Sequence, residues 1–289
     1  MDKILEKFVK VLTEQGKSVS TILAYEKDIE QLILYLKQNN FKDFKKVTKE
    51  NIDKYIAKLL SGNEFTPKTV SRKLNSIETF FRFLHLQRLV NTNISLDIRH
   101  PKFENKLPRI LSKQEFMALR DATKTNRRVY IIVEILLQTG IRIGELSRLR
   151  TGDIKPKTKK DGKNEIIITK YSSCPERKIT ITEDIANLFK EMVGARKPAN
   201  DYLFTTKTGR NLLIRNIRSA IDRHFEKAEI ENTSVNDLRN TFIVYQLKSG
   251  AEPKFLAEYV GHERLSSTYK FIKEFKISPI GNKKKIVEL

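Results

Sequence analysis

Residues 91–108, NTNISLDIRHPKFENKLP, constrain the fold of this chain more than any other stretch. They show no hydrophobic period, carry Pro101 and Pro108, and are mostly polar, which is the composition of a connection between domains. The chain of 289 residues is therefore expected to fold as residues 1–90 and residues 109–275, joined by this linker and followed by a tail at 276–289.

Before the break, every periodic run is helical. Ile4, Phe8, Val11 and Leu12 form one stripe, which Gly16 ends. Ser18 caps a second run carrying Ile22, Tyr25, Ile29, Leu32, Ile33 and Leu36. Thr48 caps a third, with Ile52, Tyr55, Ile56 and Leu59. Thr66-Pro67 is a cap followed by a proline at the first helical position, and it opens a fourth run through Val70, Leu74, Ile77, Phe80, Phe81 and Leu84. The other face of that run carries Lys68, Arg72 and Lys73, a set suited to docking on a DNA major groove. A solvated charged face is the plain alternative.

After the break, the pattern mixes. Helical runs begin at Ser112 and Tyr130, the second ending at Gly140, and a short GELSRL helix follows Arg142. Then the periodicity changes. EIIIT (165–169) and KITIT (178–182) are β-branched and flank YSSCPER, so they predict a hairpin, with a third strand near Ile154. Helices are expected again over 211–227, 235–249, 252–260 and 264–274. The fold class is thus mainly α with a small antiparallel sheet: a four-helix domain followed by an α+β domain. The tail ends apolar, at Ile286, Val287 and Leu289, and is expected to dock on a neighbouring protomer.

Bulk properties narrow the function. The formal net charge is +21, spread along the chain. Nucleic acid is the commonest partner for such an imbalance, although a merely solubilising lysine content produces the same count. A single cysteine, Cys174, excludes an intrachain disulfide, and the four histidines lack metal-ligand spacing. No apolar run reaches membrane-spanning length, and the acid-containing N-terminus is unlike a signal peptide, so a cytoplasmic protein is expected. In SVNDLRN, Asn236 and Arg239 share a helix face. With Arg142, Lys170 and His262 of VGH, they can converge on one phosphate, since guanidinium forks match two phosphate oxygens.

The order TGIRIGEL, a strand-borne lysine, DLRNTF, VGH and then an aromatic nine residues on resembles the tyrosine recombinase (phage integrase, Xer-type) family. KSVSTILAYEKDIEQLILYL is similar to that family's core-binding, SAM-like domain, and DYLFTTKTGRNLLIRNIRSAI to the segment before the second arginine box. The resemblance implies a site-specific DNA recombinase. It cuts and rejoins DNA through a 3′-phosphotyrosine and a Holliday junction, with no cofactor, metal or ATP. It also implies a tetramer assembled on double-stranded DNA carrying inverted-repeat sites.

Residue by residue, it implies Arg142 and Arg239 as the two phosphate-binding arginines, Glu145 as the acid orienting Arg142, and His262 as a phosphate donor. Lys170 is implied as the general acid, with Lys178 as its competitor. Two positions depart from the pattern. Asn236 stands where the family has histidine, and Asn is no useful base. Phe271 stands at the nucleophile position, with Tyr269 two residues earlier and about 200° around the helix. Three readings follow: a chain that has lost its nucleophile, Tyr269 as nucleophile in a shifted register, or no role for either position. Two other functions remain open, a non-catalytic DNA-binding protein and a type IB topoisomerase-like enzyme. The compact four-helix start leans towards a simple Xer-like system.

Overall fold

A computed structural model describes residues 1–62, 64–104, 106–157, 162–171, 174–194, 201–206, 208–278 and 280–289, with the side chain of Ser95 left out. Ser172 and Ser173 of the YSSCPER turn, and 158–161 of the preceding lysine-rich loop, lie outside the described residues. The chain divides into two compact units, Met1–Lys106 and Leu107–Leu289. Among the described residues, no helix is long and apolar enough to cross a membrane.

The first unit contains α1 (Asp2–Glu14), α2 (Val19–Gln38), α3 (Lys49–Ser61) and α4 (Pro67–Leu86). Ser18 and Thr66 accept the N3 amides of α2 and α4, as their cap positions require. The core is aromatic: Phe8, Phe44, Phe80, Phe81 and Phe83 meet edge-on or tilted, and Phe80–Phe83 stacked, at centroid distances of 5.1–6.4 Å. The sequence expectation is corrected in two places here. The first half of the expected linker belongs to this core, because Ile94 and Ile98 are buried and a 3₁₀ turn at Ile94–Leu96 packs on α4. Spaced by four, Ile94 and Ile98 face the bundle, while Leu96 between them is exposed.

The second correction concerns the basic face. Lys73 is buried, not free for DNA: its ammonium donates to Asp28 at 2.9 Å and to Gln31 at 2.6 Å. Arg72 forks onto the same carboxylate at 2.9 and 3.2 Å, and Ser76 donates to it at 2.8 Å. Burial alone would raise the Asp28 carboxyl, but these donors overcome it and hold it below the usual carboxylate range. A solvated face at 68, 72 and 73 thus reduces to exposed Lys68 and half-exposed Arg72.

The second unit contains α5 (Lys113–Thr123), α6 (Arg127–Thr139), α7 (Ile143–Leu146), β1 (Ile154–Lys155), β2 (Asn164–Ile168), β3 (Arg177–Ile181), α8 (Glu183–Gly194), α9 (Ile214–Lys227), α10 (Val235–Lys248), α11 (Pro253–Val260) and α12 (Ser266–Glu274). The sheet is antiparallel in the order β1-β2-β3, with Ile166 opposite Ile154 and Ile179. Mostly buried α6 is the axis of the unit, and α10 lies along it. In this single chain the tail packs on its own second unit. Gln246 and Gln138 each pair with a tail backbone, at Val287 and Leu289, donating to its carbonyl and accepting from its amide. Ile286 and Leu289 then cover the core.

Candidate active site

The site forms where three chain reversals meet. Gly140 ends α6 in the left-handed region, at φ 59°, and turns the chain so that Arg142 becomes the N-cap of α7. Gly261 ends α11 in the same way, at φ 68°, and delivers His262. Arg239 comes from the buried face of α10, one turn after the cap at Ser234.

Backbone carbonyls aim both arginines. Arg239 donates through one Nη to Gly140 O and through the other to Val260 O at 2.8 Å. Arg142 Nη1 donates to Gly261 O at 3.1 Å, and its backbone amide donates to Glu145 Oε2 at 2.8 Å. The Arg142 and Glu145 side chains are 3.6 Å apart, and the Glu145 side chain is fully buried. Burial by itself would raise that carboxyl. Arg177, the Arg142 amide and the nearby Arg239 charge reverse the effect and hold it below its ordinary value.

Arg142, Arg239, Asn236, Asn240, Arg218 and Tyr171 line one groove of about 490 Å³. Asn236 is exposed at its edge. Burial, and then the neighbouring Arg142 charge, bring the Arg239 guanidinium down to about 9, so it remains charged at neutral pH. Burial, followed by the charges of Arg239, Arg142 and Arg177, brings His262 down to about 4. Its ring is therefore neutral at pH 7, and Nδ1 lies 2.7 Å from the hydroxyl of fully buried Thr268. When Nδ1 accepts from that hydroxyl, the ring proton sits on Nε2 and is free to donate.

On α12 the two aromatic candidates separate. Phe271 is half-buried and stacks on His262, with ring planes 3° apart and centroids at 6.4 Å, and on Phe275 behind it. Tyr269 is 44% exposed. The rotation of about 200° between them turns position 271 towards the histidine and position 269 to solvent.

Lys170 lies two residues past the end of β2, exposed, and its neighbour Tyr171 lines the groove. Lys178 lies on the outer face of β3 and borders a different cleft, beside Thr180 and the tail. The period-two alternation decides this: Arg177, Ile179 and Ile181 share the inner face, and Lys178 cannot join them.

Sequence reasoning missed Arg177, Tyr171, Arg218 and Thr268. Arg177 had a signal in that parity. Tyr171 had one in the glycine across from it, since a Cβ on Gly144 would lie 2.5 Å from the Tyr171 ring. Arg218 and Thr268 carry no local signal, because tertiary packing alone brings them in.

A mostly helical chain with two carbonyl-aimed arginines, a neutral histidine and an inward aromatic at this spacing fits the tyrosine recombinase class. Comparison with known proteins agrees. Residues 109–276 match the phage integrase family, and residues 5–88 match the phage integrase N-terminal SAM-like domain. The chain belongs to the phage integrase family, the tyrosine recombinases, whose members are DNA strand-transferring enzymes of site-specific recombination. It is 27% identical over 277 residues to tyrosine recombinase XerC of Lactobacillus delbrueckii subsp. bulgaricus, covering 91% of each chain. It is 26% identical over 284 residues to tyrosine recombinase XerD of Rickettsia bellii, covering 93% of this chain and 92% of that protein. Among solved structures, the XerH site-specific recombinase bound to palindromic difH substrate superposes with a TM-score of 0.75 at 18% identity, over 93% of this chain and 80% of that one. The Tn1549 transposon integrase with circular intermediate DNA gives 0.72 at 19%, over 93% and 94%.

Proposed function

We propose that this chain is a site-specific recombinase whose site binds and activates a DNA phosphate, and that Phe271 leaves it unable to start strand cleavage. One observation carries the proposal: residue 271 stacks on His262 beside the arginine pair, so the side chain in the nucleophile's place lacks only a hydroxyl. Arg142 and Arg239 hold the non-bridging oxygens, and the neutral His262 donates a hydrogen bond. Asn236 adds a hydrogen bond but takes no proton. Glu145 fixes Arg142. Lys170, the one unpaired cation on the hairpin end among the described residues, protonates the leaving 5′-oxygen. With a tyrosine at 271, its hydroxyl would attack phosphorus, releasing its proton to water, and the 5′-oxygen would leave with the Lys170 proton, giving a 3′-phosphotyrosine. A partner strand's 5′-hydroxyl would then displace the tyrosine and build a Holliday junction. Inverted-repeat DNA, a tetramer on two sites and a cytoplasmic location belong to the same reading. So do a DNA-binding role for the first unit and a catalytic role for the second.

The test uses footprinting on the chain's own genomic neighbourhood to find the site, then a nicked half-site of that sequence. The present chain should bind without a covalent adduct, and Phe271→Tyr should form a 3′-phosphotyrosyl adduct at residue 271. An adduct already formed by the present chain at Tyr269 would overturn the assignment of position 271. A footprint with no adduct from Phe271→Tyr would favour a non-catalytic DNA-binding protein. Supercoil relaxation without strand exchange would favour a topoisomerase.

A further inference from the structure

Among the described residues, Arg177 is the one strongly buried cation of the second unit that the proposed chemistry does not use. Its side chain is 8% exposed, on the inner face of β3. Its two Nη groups donate to the two oxygens of Glu145, at 2.8 and 3.1 Å. Its Nε donates to Tyr259 O at 2.8 Å, in the last turn of α11. Glu145 in turn accepts the Arg142 amide, and Arg142 donates to Gly261 O. Gly261 then closes a ring of contacts, because a Cβ there would lie 2.6 Å from Arg177 Nη1. Glycine is needed at 261 twice, for the left-handed turn and for the space the guanidinium takes.

We propose that Arg177 is a positioning residue, whose planar fork fixes Arg142 through Glu145, and His262 through the Tyr259–Gly261 turn, in one arrangement. The inference rests on the reading of Arg142 and His262 as phosphate ligands. A stabilising role alone explains the geometry poorly. A buried ion pair commonly gains no stability over apolar residues of similar volume. This one also brings a third guanidinium beside Arg142 and Arg239, which repel it. What the fork supplies is direction: two parallel bonds to Glu145 and a third, in the same plane, to α11. A lysine keeps the charge and loses the plane.

The experiment compares Arg177→Lys and Arg177→Met in two settings. In the Phe271→Tyr background, the rate of covalent adduct formation at saturating DNA should fall about 10- to 100-fold in both variants, while duplex Kd moves less than about threefold. Rescue by Arg177→Lys, rates near the parent in both folded variants, or equal losses of rate and affinity would each overturn the proposal. The second setting is the chain as it stands, by side-chain NMR of Arg142 and His262. The parent should show a protected Arg142 guanidinium and a His262 ring titrating far below its ordinary value. Arg177→Lys should lose that Arg142 protection while His262 still titrates low, and unchanged Arg142 signals would overturn the proposal. If Phe271→Tyr forms no adduct with Arg177 intact, the recombinase reading fails and the NMR setting alone decides Arg177. If Arg177→Met does not fold, Arg177→Lys is decisive.

Discussion

Gly140→Ala is expected to weaken the second unit and to loosen Arg239 in the same step. Gly140 has φ +59°, and an alanine in the left-handed region costs about 1–2 kcal/mol. Its new Cβ would also lie 2.3 Å from Cδ1 and 2.9 Å from Cε1 of the Phe242 ring. That ring is fully buried and stacked 5.9 Å from Tyr259, so it has no empty space to move into. Overpacking of this kind adds about 1–3 kcal/mol, which makes the expected loss about 2–5 kcal/mol. Gly140 O accepts from Arg239, so any backbone shift that relieves the clash misaims the guanidinium. The two units can melt separately, so the readout should be local: hydrogen exchange of the α6 and α10 amides across a urea series. Gly152→Ala is the control, because its Cβ would meet nothing within 4 Å. A loss at Gly140 below about 0.5 kcal/mol, the range of ordinary surface substitutions, would refute the steric reasoning.

Three other perturbations test different parts of the structure. His262 titrates near 4 when folded against 6.5 unfolded, so the unfolded ring takes up its proton first as the pH falls. Stability from this group is full above pH 6.5 and is lost down to about pH 4, by roughly 1–3 kcal/mol after allowance for partial exposure. Urea midpoints against pH should flatten over that window in His262→Gln, and parallel curves would contradict the buried neutral ring. Asp28→Ala leaves the buried Lys73 ammonium uncompensated, and the first unit should lose about 3–5 kcal/mol in urea; a loss under about 1 kcal/mol would mean that the network is not closed. Lys68→Ala should reduce the slope of log K against log salt for duplex binding by about one, and Lys73→Met should leave that slope unchanged, so an equal reduction by both would return Lys73 to the DNA face.

The helices were legible wherever period and cap agreed. Ser18, Thr66-Pro67 and Gly140 mark their own boundaries, and the β-branched runs at 165–169 and 178–182 mark the hairpin. Arg142, Arg239 and His262 were legible as a set only because several short motifs occur in one order. Composition misled in two places. Residues 91–98 look like a linker because the two buried residues among them, Ile94 and Ile98, are diluted by polar ones. Lys73 looks like a surface cation because its partner, Asp28, lies 45 residues earlier, on another helix. Pairing across such distances is set by packing, and no local pattern records it. The tail looked detached for the same reason, since the glutamines that hold it, Gln138 and Gln246, lie on α6 and α10.

The charges around position 271 bear on what a chain with Phe271 is for. Three guanidiniums, from Arg142, Arg177 and Arg239, surround one buried carboxylate, Glu145, and burial, reinforced by neighbouring guanidinium charges, depresses both Arg239 and His262. A site so arranged is destabilised when empty and relieved by an anion, as strain held at a functional site generally is. The side chain at 271 does not contribute to that strain. Its ring is half-buried between His262 and Phe275, and the fold around it requires no hydroxyl there. Tyr259 is the contrast: it is buried, and its hydroxyl donates to Thr180 O. The costly part of the site is thus the arginine cluster, while the fold makes no demand for a hydroxyl at 271. Binding of a phosphate backbone should therefore stabilise the second unit in the chain as it stands, because only the folded site offers the cluster. A midpoint for that unit that rises with duplex concentration at low salt, and no longer rises in Arg239→Met, is the expected signature of a site kept for binding whether or not it cleaves.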